Sequence, residues 1–435
     1  MPRHNPKGNN QHGDKNYPAD DVLHAALVQY AKERLTVQMK LDRLREEYGC
    51  EIKPATLHNL QVKFDIKTVR RGQPPREEQA AAILEVVELD HAGFRGVKTT
   101  MATLALQGSL LPRDTVREVL RLYAPDKSLG RFPGAKNRRR DRTTLISVGP
   151  DEMHHADGWE KLGAQALMMG GVGIPAYGYT DQCSSKRLFI VVVPNDRLQD
   201  VIVHVHLDFI QYIGGISITH VVDKGTELGK ALAVHGAIRA LAAPDLDAER
   251  FPPFVQISSF KNTPAEGGWH WLRNFEGYNL HDAITAGRDR FNALDDIQFC
   301  LFYWIWPPIV QKALNEFSET WNIHAIRRQH LKANPSGYTP NHVYAAPRSL
   351  GLQHCKIPVS SEIVAALREE QELTREQALG FCSASFDEAA RGAYEQIGSP
   401  ETTRDNAWET FFTMLPVLRA FYNGRVPEKA YVFTI

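Results

Sequence analysis

The chain of 435 residues is poor in cysteine, has no long apolar run and carries no net charge. Its five cysteines, Cys50, Cys183, Cys300, Cys355 and Cys382, are odd in number and widely spaced, with no CxxC pair. That pattern excludes a disulfide framework and a zinc site built from cysteine pairs, and it points to a reducing compartment, cytosol or nucleus. No stretch approaches the ~18 consecutive apolar residues that span a bilayer, so no membrane association is expected. The opening MPRHNPKGNNQHGDKNYPADD lacks the apolar segment of a secretory signal, and its composition reads as a disordered arm over residues 1–19. Gly170-Gly171-Val172-Gly173 lacks the Lys-Ser/Thr pair of a phosphate loop and reads as a turn.

The charge balance hides an asymmetry. Residues 1–150 hold 26 Lys and Arg against 18 Asp and Glu, which leaves 25 against 33 for the rest. A basic N-terminal part ahead of a more acidic body suits a nucleic-acid enzyme, although ordinary fluctuation gives the same numbers.

Two short helical units occupy the basic part, over 20–72 and 73–124. In the first, apolar spacing predicts a helix over Val22–Glu33. A second follows Thr36 as N-cap and ends at Gly49, and a third starts at Pro54 and runs to Phe64. The second unit repeats the outline with helices over Glu77–Leu89, Val97–Leu106 and Arg113–Tyr123. Helix, short turn, helix and basic tail is the outline of a helix-turn-helix, in which Lys67, Arg70, Arg71, Arg113 and Arg117 are candidate DNA contacts; a plain helical bundle is the other reading. The linker 125–150 carries Lys136, Arg138, Arg139 and Arg140, a run that can grip phosphates, direct nuclear import or simply be solvated.

From residue 151 the periodicity changes. Strands are expected over Met153–Asp157, Ala176–Thr180, Leu188–Val193, Ile216–Val222 and Phe254–Ile257, and helices over Leu198–Ile213, Thr226–Leu241 and from Glu266 to about Arg288. This β-β-β-α-β-α-β-α order predicts an α/β domain over 151–290 of RNase H-like form, a mixed five-stranded sheet with helices on both faces. A helical extension follows over 291–347, with helices at Asp295–Trp304 and Pro308–Asn322, and then a mostly helical region over 348–435. His204 and His206 flank one residue of a helix and point about 200° apart, so they read as surface or packing residues. His154 and His155 read as packing residues or as a phosphate contact. Phe302-Tyr303-Trp304-Ile305-Trp306 reads as core rather than as a base-stacking platform.

Three acids fall where such a sheet would gather them. Asp157 closes the first strand, Asp223 closes the fourth and Glu266 enters the helix after the fifth. Three hard oxygen ligands suit Mg²⁺ or Mn²⁺, and two such ions can carry an in-line phosphoryl displacement. Each acid also has an ordinary role open to it, in a turn or at a helix N-terminus.

The segments His155-Ala156-Asp157-Gly158, Asp223-Lys224-Gly225-Thr226-Glu227 and Asn262-Thr263-Pro264-Ala265-Glu266 with Trp269 and Trp271 resemble the integrase catalytic core of the DDE superfamily. More narrowly, the chain is similar to the transposon-derived integrase-core proteins of mushroom-forming fungi. The resemblance covers about residues 20–345. It implies a catalytic and metal-binding triad of Asp157, Asp223 and Glu266, two Mg²⁺ or Mn²⁺ ions, DNA contacts that include Lys261 and Asn262, and a homo-multimer in the nucleus acting on element ends and target DNA. A DNA-binding protein that has lost catalysis and a simple RNase H-like nuclease are the alternatives. Asp223 and Glu266 are 43 positions apart, longer than the usual spacing, and Gly267-Gly268 stands where many relatives carry a basic or aromatic residue.

Overall fold

Strand-forming sequence is concentrated between residues 153 and 257, and there the chain builds a mixed five-stranded sheet. The computed structural model describes residues 17–69, 71–90, 95–123, 145–258, 262–329 and 332–434. The strands are β1 (Met153–Trp159), β2 (Ala176–Asp181), β3 (Arg187–Val192), β4 (Gly215–Ile216), β5 (Thr219–Asp223), β6 (Phe254–Ile257) and β7 (Ile357–Pro358). The large sheet has the order β3-β2-β1-β5-β6. The first three strands form an antiparallel meander, and β5 and β6 join it in parallel. Parallel neighbours need long crossovers, which the helices Gln199–Ile213 and Gly229–Ala242 supply.

Both faces of this sheet are covered. Tyr177, Tyr179 and Leu188 face Val201, Val205 and Phe209 of the first crossover helix and Leu232 and Ile238 of the second. On the other face Trp159, Ile190 and Val192 pack against Trp269, Leu272 and a long helix, Asp296–Ile323, that contributes Leu301, Trp306 and Leu314. Burial on two sides explains why Leu188–Val193 is apolar without alternation. The architecture is the expected one: helical units, an RNase H-like α/β sheet and a largely helical C-terminal region. Among the described residues no helix is long and apolar enough to cross a membrane.

The N-terminal helices start and stop where their caps require. Thr36 accepts the Met39 N–H ahead of Val37–Tyr48, and Gly49 ends that helix at φ 61°. The two helical units share a core, since Ala102 and Ala105 of Val97–Leu106 pack among Leu23, Leu27, Tyr30 and Leu57 of the first.

Four elements differ from expectation. The expected strand Ile216–Val222 is split. Gly215–Ile216 pairs with Ile357–Pro358, and the chain then turns at Ser217, whose hydroxyl donates to the Thr219 carbonyl, before β5 enters the main sheet. Helices expected at Asp295–Trp304 and Pro308–Asn322 are one, Asp296–Ile323, with Pro307 and Pro308 inside it. Two prolines normally break a helix, but here Phe302, Trp306, Val310 and Leu314 on either side share one core, and that burial outweighs the lost backbone bonds. The helix carrying Glu266 changes winding through a π-turn at Arg273–Gly277 and ends at Thr285, short of Arg288. Finally, a helix at Ala407–Tyr422 was not anticipated, because Pro416 interrupts a stripe (Phe411, Met414, Leu415, Leu418, Tyr422) that otherwise has helical spacing.

Glu276, within the π-turn, ties three parts of the chain together. Its carboxylate receives Arg95 Nη2 at 2.8 Å from the N-terminal helices and Arg404 Nη1 at 2.6 Å from the C-terminal region. All three side chains are nearly buried. Removing one partner of such a pair leaves an uncompensated charge, so Glu276→Ala should cost about 3–5 kcal/mol. A denaturant midpoint equal to that of the natural chain would show that the tie carries no stability.

Candidate metal centre

The site follows from strand register. β1 and β5 are parallel neighbours with His155 opposite Val221, so two residues further along Asp157 and Asp223 follow the same course. Asp223 ends β5, whereas β1 continues past Asp157 to Trp159 through its pairing with β2, so, contrary to expectation, Asp157 does not close the strand. Asp223 in turn faces Ile257, the last residue of β6. The chain then enters the helix Thr263–Leu272, with Pro264 in its first turn and Glu266 just inside it. Ligand oxygens of Asp157, Asp223 and Glu266 all lie within 4.8 Å of one another.

These acids are crowded and uncompensated. Burial, then Asp223 and Glu266, push the Asp157 carboxyl up to about 8, against a hydrogen bond from Trp269 that acts the other way. Burial also raises Asp223, and burial with the Asp223 charge raises Glu266. Among the described residues no Lys or Arg side-chain nitrogen lies within 4.0 Å of any of the three carboxylates, and Lys161 acts on Glu266 only from farther away. Oxygen donors held together without a protein cation fit a hard divalent ion, which would supply the missing charge. The acids open into a cavity of about 720 Å³ that is also lined by Lys161, Lys224, His270 and Arg273. Glu266, His270 and Arg273 stand at helical spacing and so share one face.

A second group could also coordinate a metal ion: Asp151, His154 and Asp181. It differs in being sealed, with at most 1% exposure. Asp151 Oδ1 and both Asp181 oxygens already accept hydrogen bonds, whereas Asp151 Oδ2 is buried without a hydrogen-bond partner, 3.6 Å from His354 Nδ1. Asp151 Oδ1 takes His154 Nε2 and the Tyr344 hydroxyl, both at 2.8 Å, and Asp181 Oδ2 takes the Ser184 hydroxyl at 2.6 Å. The hydrogen bonds join β1, the β2–β3 turn and the helix Pro340–Ala345. Sequence reasoning missed the group because Asp181 reaches Asp151 and His154 only through pairing of β1 with β2.

Other candidate residues fall in varied places. Asn262, expected to contact DNA, is fully buried. Its Nδ2 donates to Asp223 Oδ1 at 2.9 Å and to the Ala156 carbonyl at 3.1 Å, and its Oδ1 meets His155 Nδ1 at 2.7 Å. Its side chain braces the strand ends and has no surface to offer a nucleic acid. His155 is spent between Asn262 and Gln182, and His154 on Asp151, so both are packing residues. Lys67, Arg113 and Arg117 are exposed. Arg71 is half-buried and donates to the Gln61 and Ile66 carbonyls, which assigns it a structural task. Arg70, Lys136, Arg138, Arg139, Arg140 and Lys261 lie outside the described residues, as do most of the arm and of the basic linker. His204 and His206 are both buried rather than on the surface. His206 Nε2 meets His235 Nδ1 at 3.1 Å beside His220, and burial holds all three imidazoles well below their usual range.

Asp196 went unnoticed in the sequence. Burial and Glu160 push its carboxyl up to about 6, and it lines the same cavity as the three acids. No local motif marks it, because a loop after β3 brings it there. No protein-family model matches the chain, and a search of curated proteins finds no match.

Proposed function

We propose that the chain is a polynucleotidyl transferase of the DDE integrase and transposase type, which nicks DNA ends and joins a 3′-OH to target DNA. The observation that carries this reading is the convergence of Asp157, Asp223 and Glu266, within 4.8 Å, from two adjacent parallel strands and the helix after β6. Two bound Mg²⁺ or Mn²⁺ ions would neutralise the attacking and departing oxygens of a phosphodiester. The three carboxylates would hold them. Asn262 donates to Asp223, and Lys161, Lys224 and Arg273 on the cavity wall offer charge to flanking phosphates. The exposed Lys67, Arg113 and Arg117 of the N-terminal helices are proposed to grip the DNA, in a nuclear homo-multimer that brings two ends together. Descent from a fungal transposable element belongs to the same proposal.

One feature favours a second reading. Asp196, half-buried, gives the cavity a fourth acid, which suits hydrolysis of an RNA–DNA hybrid by a simple RNase H-like nuclease. A single assay separates the two. Full-length protein is incubated with a panel of labelled DNA ends or with a hybrid duplex, in Mg²⁺ or Mn²⁺, and products are scored for nicking and joining. Joined DNA products support strand transfer. Cleavage confined to the hybrid supports the nuclease, and DNA binding without any product defeats both.

A further inference from the structure

We propose that Trp269 is a positioning residue of the metal centre, whose indole N–H fixes the plane of the Asp157 carboxylate for cation binding. The inference rests on the reading of Asp157, Asp223 and Glu266 as metal ligands. Trp269 Nε1 donates to Asp157 Oδ2 at 3.0 Å. It is the same service that Asn262 performs for Asp223 Oδ1 at 2.9 Å. Each aspartate thus gives one oxygen to an N–H donor carried by the helix that also bears Glu266, Asn262 at its N-cap and Trp269 in its second turn.

The indole is itself held. It faces the Trp159 ring at 6.2 Å between centroids with planes 21° apart, and it is 6% exposed. Gly178 lies directly across from Asp157 on β2, and a Cβ there would stand 2.7 Å from Trp269 Cη2. The buried Arg187 guanidinium lies 5.9 Å from the ring centroid on one side and 5.9 Å from Trp321 on the other. Gly268 leaves the room that this guanidinium fills, because a Cβ there would come within 1.0 Å of Arg187 Nη2. Space is therefore reserved at two glycines so that one indole can stand where it does. A donor outside the ligand set that fixes a ligand's orientation spares the ion the cost of ordering it, and removing such a partner typically weakens metal binding about 10–100-fold.

This account also bears on the two glycines after Glu266. The first, Gly267, has open space beside it, whereas the second is required by Arg187. The absence of a larger residue at 268 is thus a packing consequence of the Trp269 arrangement.

The test uses the full chain and Mn²⁺ itself, with free Mn²⁺ read by electron paramagnetic resonance. Trp269→Phe keeps an aromatic ring in the site and deletes the N–H. It should weaken Mn²⁺ binding about tenfold, and the modest fall in melting temperature of the metal-free protein expected from the smaller ring should leave it fully folded at the temperature of the binding assay. Gly178→Ala, which displaces the indole, should weaken binding in the same direction. The chain has seven tryptophans. In ¹⁵N-tryptophan-labelled protein, the indole cross-peak missing from Trp269→Phe should shift on addition of Mg²⁺ and again in Asp157→Asn. Wild-type Mn²⁺ affinity in Trp269→Phe overturns the positioning role yet leaves the metal site standing, provided Asp157→Asn still abolishes binding. No Mn²⁺ binding by the natural protein overturns both. Should Trp269→Phe fail to fold, the response of the natural protein's indole peaks to Asp157→Asn decides, and no change there overturns the proposal.

Discussion

Asp223→Asn is expected to abolish Mg²⁺-dependent nicking and joining while leaving the fold intact. Asp223 supplies one of three carboxylates whose oxygens lie within 4.8 Å of one another. An amide is a weak ligand for a hard cation, and loss of one ligand from such a site removes several kcal/mol of transition-state stabilisation. At about 1.4 kcal/mol per factor of ten, that is a fall on the order of 10³ in rate. Stability should not fall with it. Burial raises the Asp223 carboxyl, so in the metal-free chain the charge is a burden that asparagine lifts. The shape is kept as well, since the remaining carbonyl oxygen can still accept the Asn262 N–H. Steady nicking by Asp223→Asn, at the rate of the natural chain, would remove this residue from the site.

The second large effect concerns stability rather than rate. Asp157 in the folded, metal-free chain is raised from 3.8 to about 8, whereas in the unfolded chain it titrates near its ordinary value. The folded state therefore holds the proton more tightly. The stabilising contribution of this group is complete below pH 4, is lost as pH rises through the window from about 4 to 8, and changes little above it. Asp157→Asn should thus melt at the same temperature as the natural chain near pH 4–5. By pH 8 it should melt higher, by on the order of 3 kcal/mol, or about 5 °C. Mg²⁺ should reverse the order, raising the melting temperature of the natural chain most at pH 8 and that of Asp157→Asn hardly at all. The comparison between variants matters because His206, His220 and His235 act the other way. Their folded values are depressed, so their contribution is present above about 6.5 and is lost in both proteins as pH falls below it. A gap between the two melting curves that stays constant from pH 5 to pH 8 would mean that Asp157 is not held protonated by its neighbours.

Much of the fold was legible because local chemistry and tertiary demand agree. Thr36, Gly49 and Pro54 mark helix ends through hydrogen bonds and dihedral angles that need no partner from elsewhere. The run Leu188–Val193 announces a strand buried on both faces, and the acids at 157, 223 and 266 sit in or beside elements that a periodicity reading can find, although β1 runs two residues past Asp157. Reading fails where a distant contact overrides the local signal. Pro307, Pro308 and Pro416 say "break", but the core shared by Trp306, Leu314, Phe411 and Leu418 holds both helices through them. The resemblance makes Asn262 a DNA contact, yet its side chain is fully buried and makes three hydrogen bonds within the protein.

What the sequence by itself determined is therefore the order of elements, the two-sided burial of the sheet and the identity of the three acids, because periodicity, caps and residue type are properties of neighbours along the chain. What only the tertiary structure decided is which groups meet. The 4.8 Å gathering of the acids, the Trp269 and Asn262 braces, the extra Asp196 and the Glu276 tie all depend on strand register and on helices packed across more than a hundred residues of chain. Electrostatic energies follow distance and burial, and neither is written in the spacing of residues along a sequence.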